Sequence, residues 1–320
     1  MLATITITPW HWVGFISCVV IFLAVDLGVF HQQAHVVRFK EALAWTTVWC
    51  TLALLFAVGL VPLRGKEEAI EFLTGYIIEL SLSMDNVFVI ALIFAYFRVP
   101  SQYQHRVLFW GILGALLMRG AMIGVGSVLI LKFHWMLYVF GAFLVFTGVR
   151  MFFADEIGVH PEKNLVIRLA RTFFPVASEF EGQKYLLRRD GRWVLTPLAL
   201  VLLTVETTDL IFAVDSIPAI FAVTQKPFIV FTSNVFAILG LRSLYFVLAG
   251  AIDYFRYLKF GLSIVLVFIG GKMLAEIWDY NISTLLALAI VAGIILVSIL
   301  ASLFRTKHET HGNKHKSNHL

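Results

Sequence analysis

The chain is poor in charge and in cysteine. Only 14% of its 320 residues are charged, against about a quarter in soluble domains, which excludes an ordinary water-soluble fold. Its two cysteines, Cys18 and Cys50, both fall in apolar runs. They read as small packing residues, and no disulfide framework is implied. Neither cysteine nor histidine occurs in the two apolar runs that carry buried acids, which disfavours copper and zinc sites there. No G-x-x-x-x-G-K-[ST] loop occurs, so ATP drive is not expected. Those runs also hold no nucleophile–base pair; the chain is read as a non-enzyme, without a prosthetic group. Met1–Thr8 lacks a basic stretch and the first apolar run is too long for a signal h-region, so no cleavable signal peptide is expected.

What is there is apolar: 60% of residues, with a mean hydropathy of +0.87. The fold class is an all-α polytopic membrane protein of about nine transmembrane helices. The spans fall near 10–30, 44–62, 72–97, 107–131, 134–153, 197–222, 228–250, 257–275 and 282–304. The connecting loops alternate in charge. Arg38 and Lys40, Arg98 and Arg106, the basic stretch 154–196, Arg256 and Lys259, and the tail lie on one side. The loops on the other side are poorer in base: Arg64 and Lys66 among Glu67, Glu68 and Glu71, then Lys132, Lys226, and a last loop with Glu276 and Asp279. The positive-inside rule puts the N-terminus outside and the C-terminus in the cytoplasm. The net charge of +5 sits in loops, which points to anionic lipid as a partner; nucleic acid is the weaker reading. The oligomeric state is left open.

Within 154–196, Leu165, Leu169 and Phe173 share one face with Arg168 and Arg171 on another, suiting a helix on the bilayer surface. Tyr185–Arg189 and Trp193–Leu195 around Asp190-Gly191 read as a hairpin with a type I′ turn. In the tail, His308, His311, His315 and His319 stand among lysines, a pattern usually disordered, though it could trap metal weakly.

Two spans carry acids. One reads Glu79-Leu-Ser-Leu-Ser-Met-Asp85-Asn86. The other reads Glu206-Thr-Thr-Asp209-Leu-Ile-Phe-Ala-Val-Asp215-Ser216-Ile-Pro218. A charge at the centre of a span costs about 2.5–3.5 kcal/mol on insertion scales, so the acids make a functional site the first expectation. The two stretches align. Glu79, Asp85 and Asn86 fall over Asp209, Asp215 and Ser216, Arg119 falls over Arg242, and Phe146-Thr-Gly148 falls over Phe268-Ile-Gly270. Three spans per copy make an inverted repeat, spans 3–5 against 6–8. The expected parts are then two peripheral spans (1–66), a first repeat (67–153), a basic connector (154–196), a second repeat (197–276), a ninth span (277–304) and a disordered His/Lys-rich tail (305–320).

Six residues turn a helix through about 240°, so Glu79 and Asp85 either meet different neighbours or flank an unwound segment. Pro218 gives the second acidic span a reason to unwind. Five carboxylates against the two deep arginines, Arg119 and Arg242, leave about three negative charges that need protons or a cation. The arginines are expected to pair with Glu79 or Asp209. The ligand candidates Glu79, Asp85, Asn86, Glu206, Asp209, Asp215 and Ser216 are hard oxygen donors, with Thr207 and Thr208 nearby, and favour Mn²⁺, Mg²⁺ or Ca²⁺. Met84 reads as packing. Asn234 could be a further oxygen ligand or make a helix–helix hydrogen bond. Gly120 and Gly124 form a small-residue packing face.

These two motifs, at Glu79–Asn86 and Glu206–Pro218, resemble the TerC integral membrane family, in particular its Alx-like branch, over about residues 10–305. The resemblance implies kinship with LysE-type exporters, manganese export, and roles in tellurite or alkaline stress. Carried over by position, the family's intramembrane acids fall on Glu79, Asp85, Glu206, Asp209 and Asp215. The expected function is Mn²⁺ export by alternating access, with Ca²⁺ or Mg²⁺ as lesser candidates. A non-transporting scaffold or assembly factor is the rival from another class.

Overall fold

The computed structural model describes residues 8–25, 39–153, 164–189, 191–249, 258–278, 280 and 282–317, with side chains as far as Ser302. In a bilayer core each peptide group must be satisfied within its own segment, and the apolar runs close into helices. They are α1 (Pro9–Val25), α2 (Phe39–Arg64), α3 (Lys66–Tyr96), α4 (Ser101–Lys132), α5 (Met136–Phe153), α6 (Leu165–Phe173), α7 (Pro197–Phe221), α8 (Pro227–Ala249), α9 (Leu258–Ala275) and α10 (Thr284–Ser317). Strands β1 (Leu186–Arg189) and β2 (Arg192–Leu195) lie between α6 and α7. Eight helices, α2–α5 and α7–α10, are long and apolar enough to cross a membrane; α1, of 17 residues, is a shorter apolar helix. The chain is thus an all-α polytopic membrane protein, with eight such helices among the described residues where nine spans were expected.

Several helices start earlier than hydropathy alone suggests. The first turns of α3 hold Lys66, Glu67 and Glu68, whose acids suit a helix N-terminus. Only Gly65 separates α2 from α3, and its φ of 96° is one that favours glycine. At the other end of the chain, α10 runs beyond 304 to Ser317, through the segment expected as a disordered tail. His319 lies outside the described residues.

In the connector the expected helix and two strands form. Asn164 caps α6 by accepting from the Val166 amide (2.9 Å). Ile167 buries itself among Leu195, Ala199 and Leu200, leaving Leu165, Leu169 and Phe173 exposed. The β1–β2 ladder closes at Arg189 opposite Arg192, with Gly191 at φ 77°; Asp190 of the expected turn lies outside the described residues. The hairpin is docked on α4: Arg106 donates to Gln183 (2.6 Å) and the Tyr185 hydroxyl to the Arg106 carbonyl (3.2 Å). Burial there pushes Tyr185 up to about 12, against the opposing pull of Arg106.

Helix α3 is the hub, packing on α2, α7 and α8, while α4 packs on α7 and α8. Contacts between α3 and α7 step in opposite directions along the two helices: Glu71 meets Thr224, Ile78 shares a cluster with Ile217 and Ile220, and Asn86 meets Asp209. The two acidic helices are therefore antiparallel. Helices α5 and α9 approach through glycine. A Cβ on Gly141 would crowd the Gly270 carbonyl (3.1 Å), and one on Gly148 the Ser263 carbonyl (2.9 Å). The Ser263 hydroxyl also donates to the Gly148 carbonyl. Of the small-residue face expected at Gly120 and Gly124, Gly120 packs on Phe231 of α8, where a Cβ would lie 3.3 Å from the ring, but α4 makes closer contacts elsewhere. A Cβ on Gly124 would meet nothing within 4 Å, whereas one on Gly126 would lie 2.8 Å from the Phe221 ring and one on Gly114 would overlap the Glu206 carboxylate.

Candidate functional site

Helix α3 is continuous through Glu79 and Asp85, and α7 is continuous from Pro197 to Phe221 with Pro218 inside it. The unwinding expected near Asp215 is not seen. Pro218 stands in the last turn, where it removes one backbone bond and leaves the helix to end within a few residues. Of the two alternatives posed by six-residue spacing, each acid therefore meets a different neighbour.

The centre is Arg119 of α4, 2% exposed. Its Nε and Nη2 donate as a fork to the Asp209 carboxylate (3.4 and 3.1 Å). Its Nη1 donates to Ser216 Oγ (3.2 Å) and pairs with Glu79 Oε1. Asn86 Nδ2 also donates to Asp209 Oδ1 (3.3 Å). One guanidinium thus gathers Glu79, Asp209 and Ser216 from two helices. Glu79 lies wholly buried, and its Oε2 has no partner among the described residues; the same holds for Asn86 Oδ1 and Ser83 Oγ.

The antiparallel register sorts the acids into two levels. Glu79 of α3 stands level with Asp215 and Ser216 of α7, and Asp85 and Asn86 of α3 level with Asp209 of α7. The levels lie about 9 Å apart, six residues at 1.5 Å each. In each level one acid faces Arg119 and the other turns away. Asp215 accepts from Thr147 of α5 (3.2 Å), within electrostatic reach of Arg150. Asp85 lies within reach of Lys259 of α9. Glu206, one turn before Asp209, lies against Gly114 of α4, and its buried Oε2 has no partner among the described residues. The helix spacing therefore brings Glu79, Asn86, Asp209 and Ser216 together through Arg119 and leaves Asp85 and Asp215 on separate walls. Among the described residues no three His, Cys, Asp or Glu side chains converge as a ready metal cluster.

Other candidates have local partners. Thr207 and Thr208 donate to the Leu203 and Thr204 carbonyls (2.6 and 2.7 Å). Met84 packs beside the core cluster of α3, α7 and α8. Lys272 donates to the Ala222 carbonyl (2.9 Å), tying α9 to the end of α7. Sequence reasoning missed Thr147 and Gly114 as partners of Asp215 and Glu206, since each comes from a helix distant in the chain. It also missed a second charge network at the start of α3. There Arg64 holds Glu68 (2.7 and 3.0 Å), and Lys226 meets Glu68 (3.4 Å) and Glu71 (3.1 Å), while Thr224 donates to Glu71 (2.8 Å).

A bundle of apolar helices with carboxylates and an arginine sealed in its middle defines a multi-pass membrane protein with a polar intramembrane centre. The chain belongs to the integral membrane protein TerC family, whose profile it matches over residues 64–310. It is 52% identical to "Uncharacterized membrane protein STKORF319" of Myxococcus xanthus, covering 94% of each chain. It is 49% identical to "Putative membrane-bound redox modulator Alx" of Escherichia coli K12, over 92% of this chain and 94% of that one. A membrane protein of Rickettsia felis is 37% identical over 92% of this chain and 97% of its own. No solved structure gives a significant match.

Proposed function

We propose that the protein is an inner-membrane exporter of a hard divalent cation, Mn²⁺ first, working by alternating access. The observation that carries this reading is the charge imbalance at the centre: two buried carboxylates, Glu79 and Asp209, share one guanidinium. Around them Glu79 Oε2, Asn86 Oδ1 and Glu206 Oε2 are left without partners among the described residues. Buried acceptors cost free energy unless satisfied, and oxygen donors without sulfur or imidazole suit a hard ion. In this mechanism Arg119 is a tethered cation. It holds Glu79, Asp209 and Ser216 while the substrate is absent and withdraws when the ion takes its place, so the site is never left with bare carboxylates. Asp85 and Asp215, on their separate walls, receive the ion on either side of the centre.

The repeat supports alternation. Glu79 and Asp209, which align in sequence, both reach Arg119, and of Asp85 and Asp215, which also align, the first lies in the field of Lys259 of α9 and the second accepts from Thr147 of α5, the last helices of opposite copies. Gly141 against Gly270 and Gly148 against Ser263 form a reciprocal pair across α5 and α9, the pattern that a two-fold axis in the membrane plane produces. Expelling two charges against 100 mV costs about 4.6 kcal/mol, which proton exchange at Glu206 or the paired acids would offset. The exposed apolar side of α6, flanked by Arg168 and Arg171, is assigned to an anionic lipid surface on the cytoplasmic side.

The test is Mn²⁺ uptake into inside-out vesicles, with and without a pH gradient, for the wild type, Asp85→Asn and Asp209→Asn at matched expression. Uptake lost in both variants is the expected outcome. Well-folded protein with no uptake above empty vesicles sinks the carrier reading and favours the scaffold, whose acids would only brace the bundle.

A further inference from the structure

We propose that Asn234 of α8, together with Ser83 of α3, supplies neutral oxygen ligands to the divalent cation at the Glu79–Arg119–Asp209 centre. This rests on the carrier reading and adds two residues to its site. Asn234 is 1% exposed, and neither its Oδ1 nor its Nδ2 has a hydrogen-bond partner among the described residues. A carboxamide that served only to join two helices would have found one. Its surroundings say where it points. Next to it Ser233 lies against Gly75 of α3, and Phe231 against Gly120 of α4. One turn before it, Val230 shares a cluster with Ile78 of α3 and Ile217 of α7; one turn after it, Ile238 shares one with Ile112 and Ala115 of α4. Asn234 therefore lies on the stripe of α8 that faces the interior between α3, α4 and α7, at the depth of Glu79 and Arg119. Ser83 stands one turn beyond Glu79 on α3, 1% exposed, with its Oγ unpartnered among the described residues. Hard divalent ions take about six or more oxygens. Two carboxylates match the ion's charge, and further acids would overcharge the site, so neutral donors must complete the shell.

Asn234→Leu, nearly isosteric, removes both polar atoms, and is read by the Mn²⁺ dependence of vesicle uptake and by the Mn²⁺-induced rise in Tm of purified protein. The expected result is a KM raised about tenfold or more and a diminished Mn²⁺-induced rise. The Tm without ion should be unchanged or higher, because an unsatisfied buried amide is gone. Asn234→Ser, which keeps a neutral oxygen, should retain more of the response than Asn234→Leu. An unchanged KM and Mn²⁺ response in Asn234→Leu overturns the assignment while leaving the carrier intact. Wild-type protein with neither uptake nor a Mn²⁺ response overturns the carrier itself. If Asn234→Leu does not fold, Ser83→Ala decides by the same readings: a raised KM supports the shell, an unchanged one removes it.

Discussion

The molecule builds two charge networks on the same helix and to opposite ends. At the start of α3, Glu68 and Glu71 face Arg64 and Lys226, two acids against two bases, and Thr224 adds a neutral donor. Lys226 there is well exposed, its side chain at 39%. Two to three turns further along, Glu79 and Asp209 face Arg119 alone, all three buried, with acceptors left over. The first network is balanced, and although Glu68 and Glu71 are buried its base Lys226 reaches the surface, so it ties α2, α3 and the α7–α8 connection together and asks for nothing more. The second is short of positive charge where unsatisfied acceptors are most expensive. On the carrier reading, that difference makes the centre the place for a cation and the outer network a clasp.

The comparison breaks most readily at Arg119. Arg119→Leu leaves two buried carboxylates without their base and should destabilise the protein by about 3–5 kcal/mol, seen as a fall in Tm in detergent. Millimolar Mn²⁺ should recover part of that fall, since an ion that binds the folded state stabilises it by mass action. A Tm equal to wild type would mean that Arg119 does not compensate the buried acids. An intermediate effect is expected at Gly114, where a Cβ would displace the Glu206 carboxylate. Gly114→Ala should slow Mn²⁺ uptake severalfold, whereas Gly124→Ala, with open space beside it, should transport normally and gain up to about 1 kcal/mol of helix stability. Equal uptake by both variants would remove Glu206 from the site. The smallest effect belongs to the clasp. Lys226→Ala should cost about 1 kcal/mol or less and shrink further at high salt; a loss as large as that of Arg119→Leu would erase the distinction between the networks.

Much of this was legible in the residues. Hydropathy gave the helices because a bilayer leaves no other way to satisfy a lone backbone segment. The amphipathic spacing of Leu165, Leu169 and Phe173, and the pairing of the strands up to Arg189 and from Arg192, described local structures that short-range rules settle. Pro218 misled because a proline signals a missing bond without saying how near the helix end it lies. Gly120 does pack on Phe231 of α8, but Gly124 misled because small-residue spacing marks a face that can pack closely and not the neighbour that fills it.

The sequence by itself determined that acids stand inside the membrane and outnumber deep arginines, because composition and spacing fix charge count and depth. Only the tertiary structure decided which acids share a partner. The antiparallel register of α3 and α7 brings Glu79 and Ser216 to one level and Asn86 and Asp209 to another, and α4 passes close enough for Arg119 to reach both. Side chains of six-residue spacing point about 240° apart on a continuous helix; which of them meets a base depends on the helices packed around it, and no local rule supplies that.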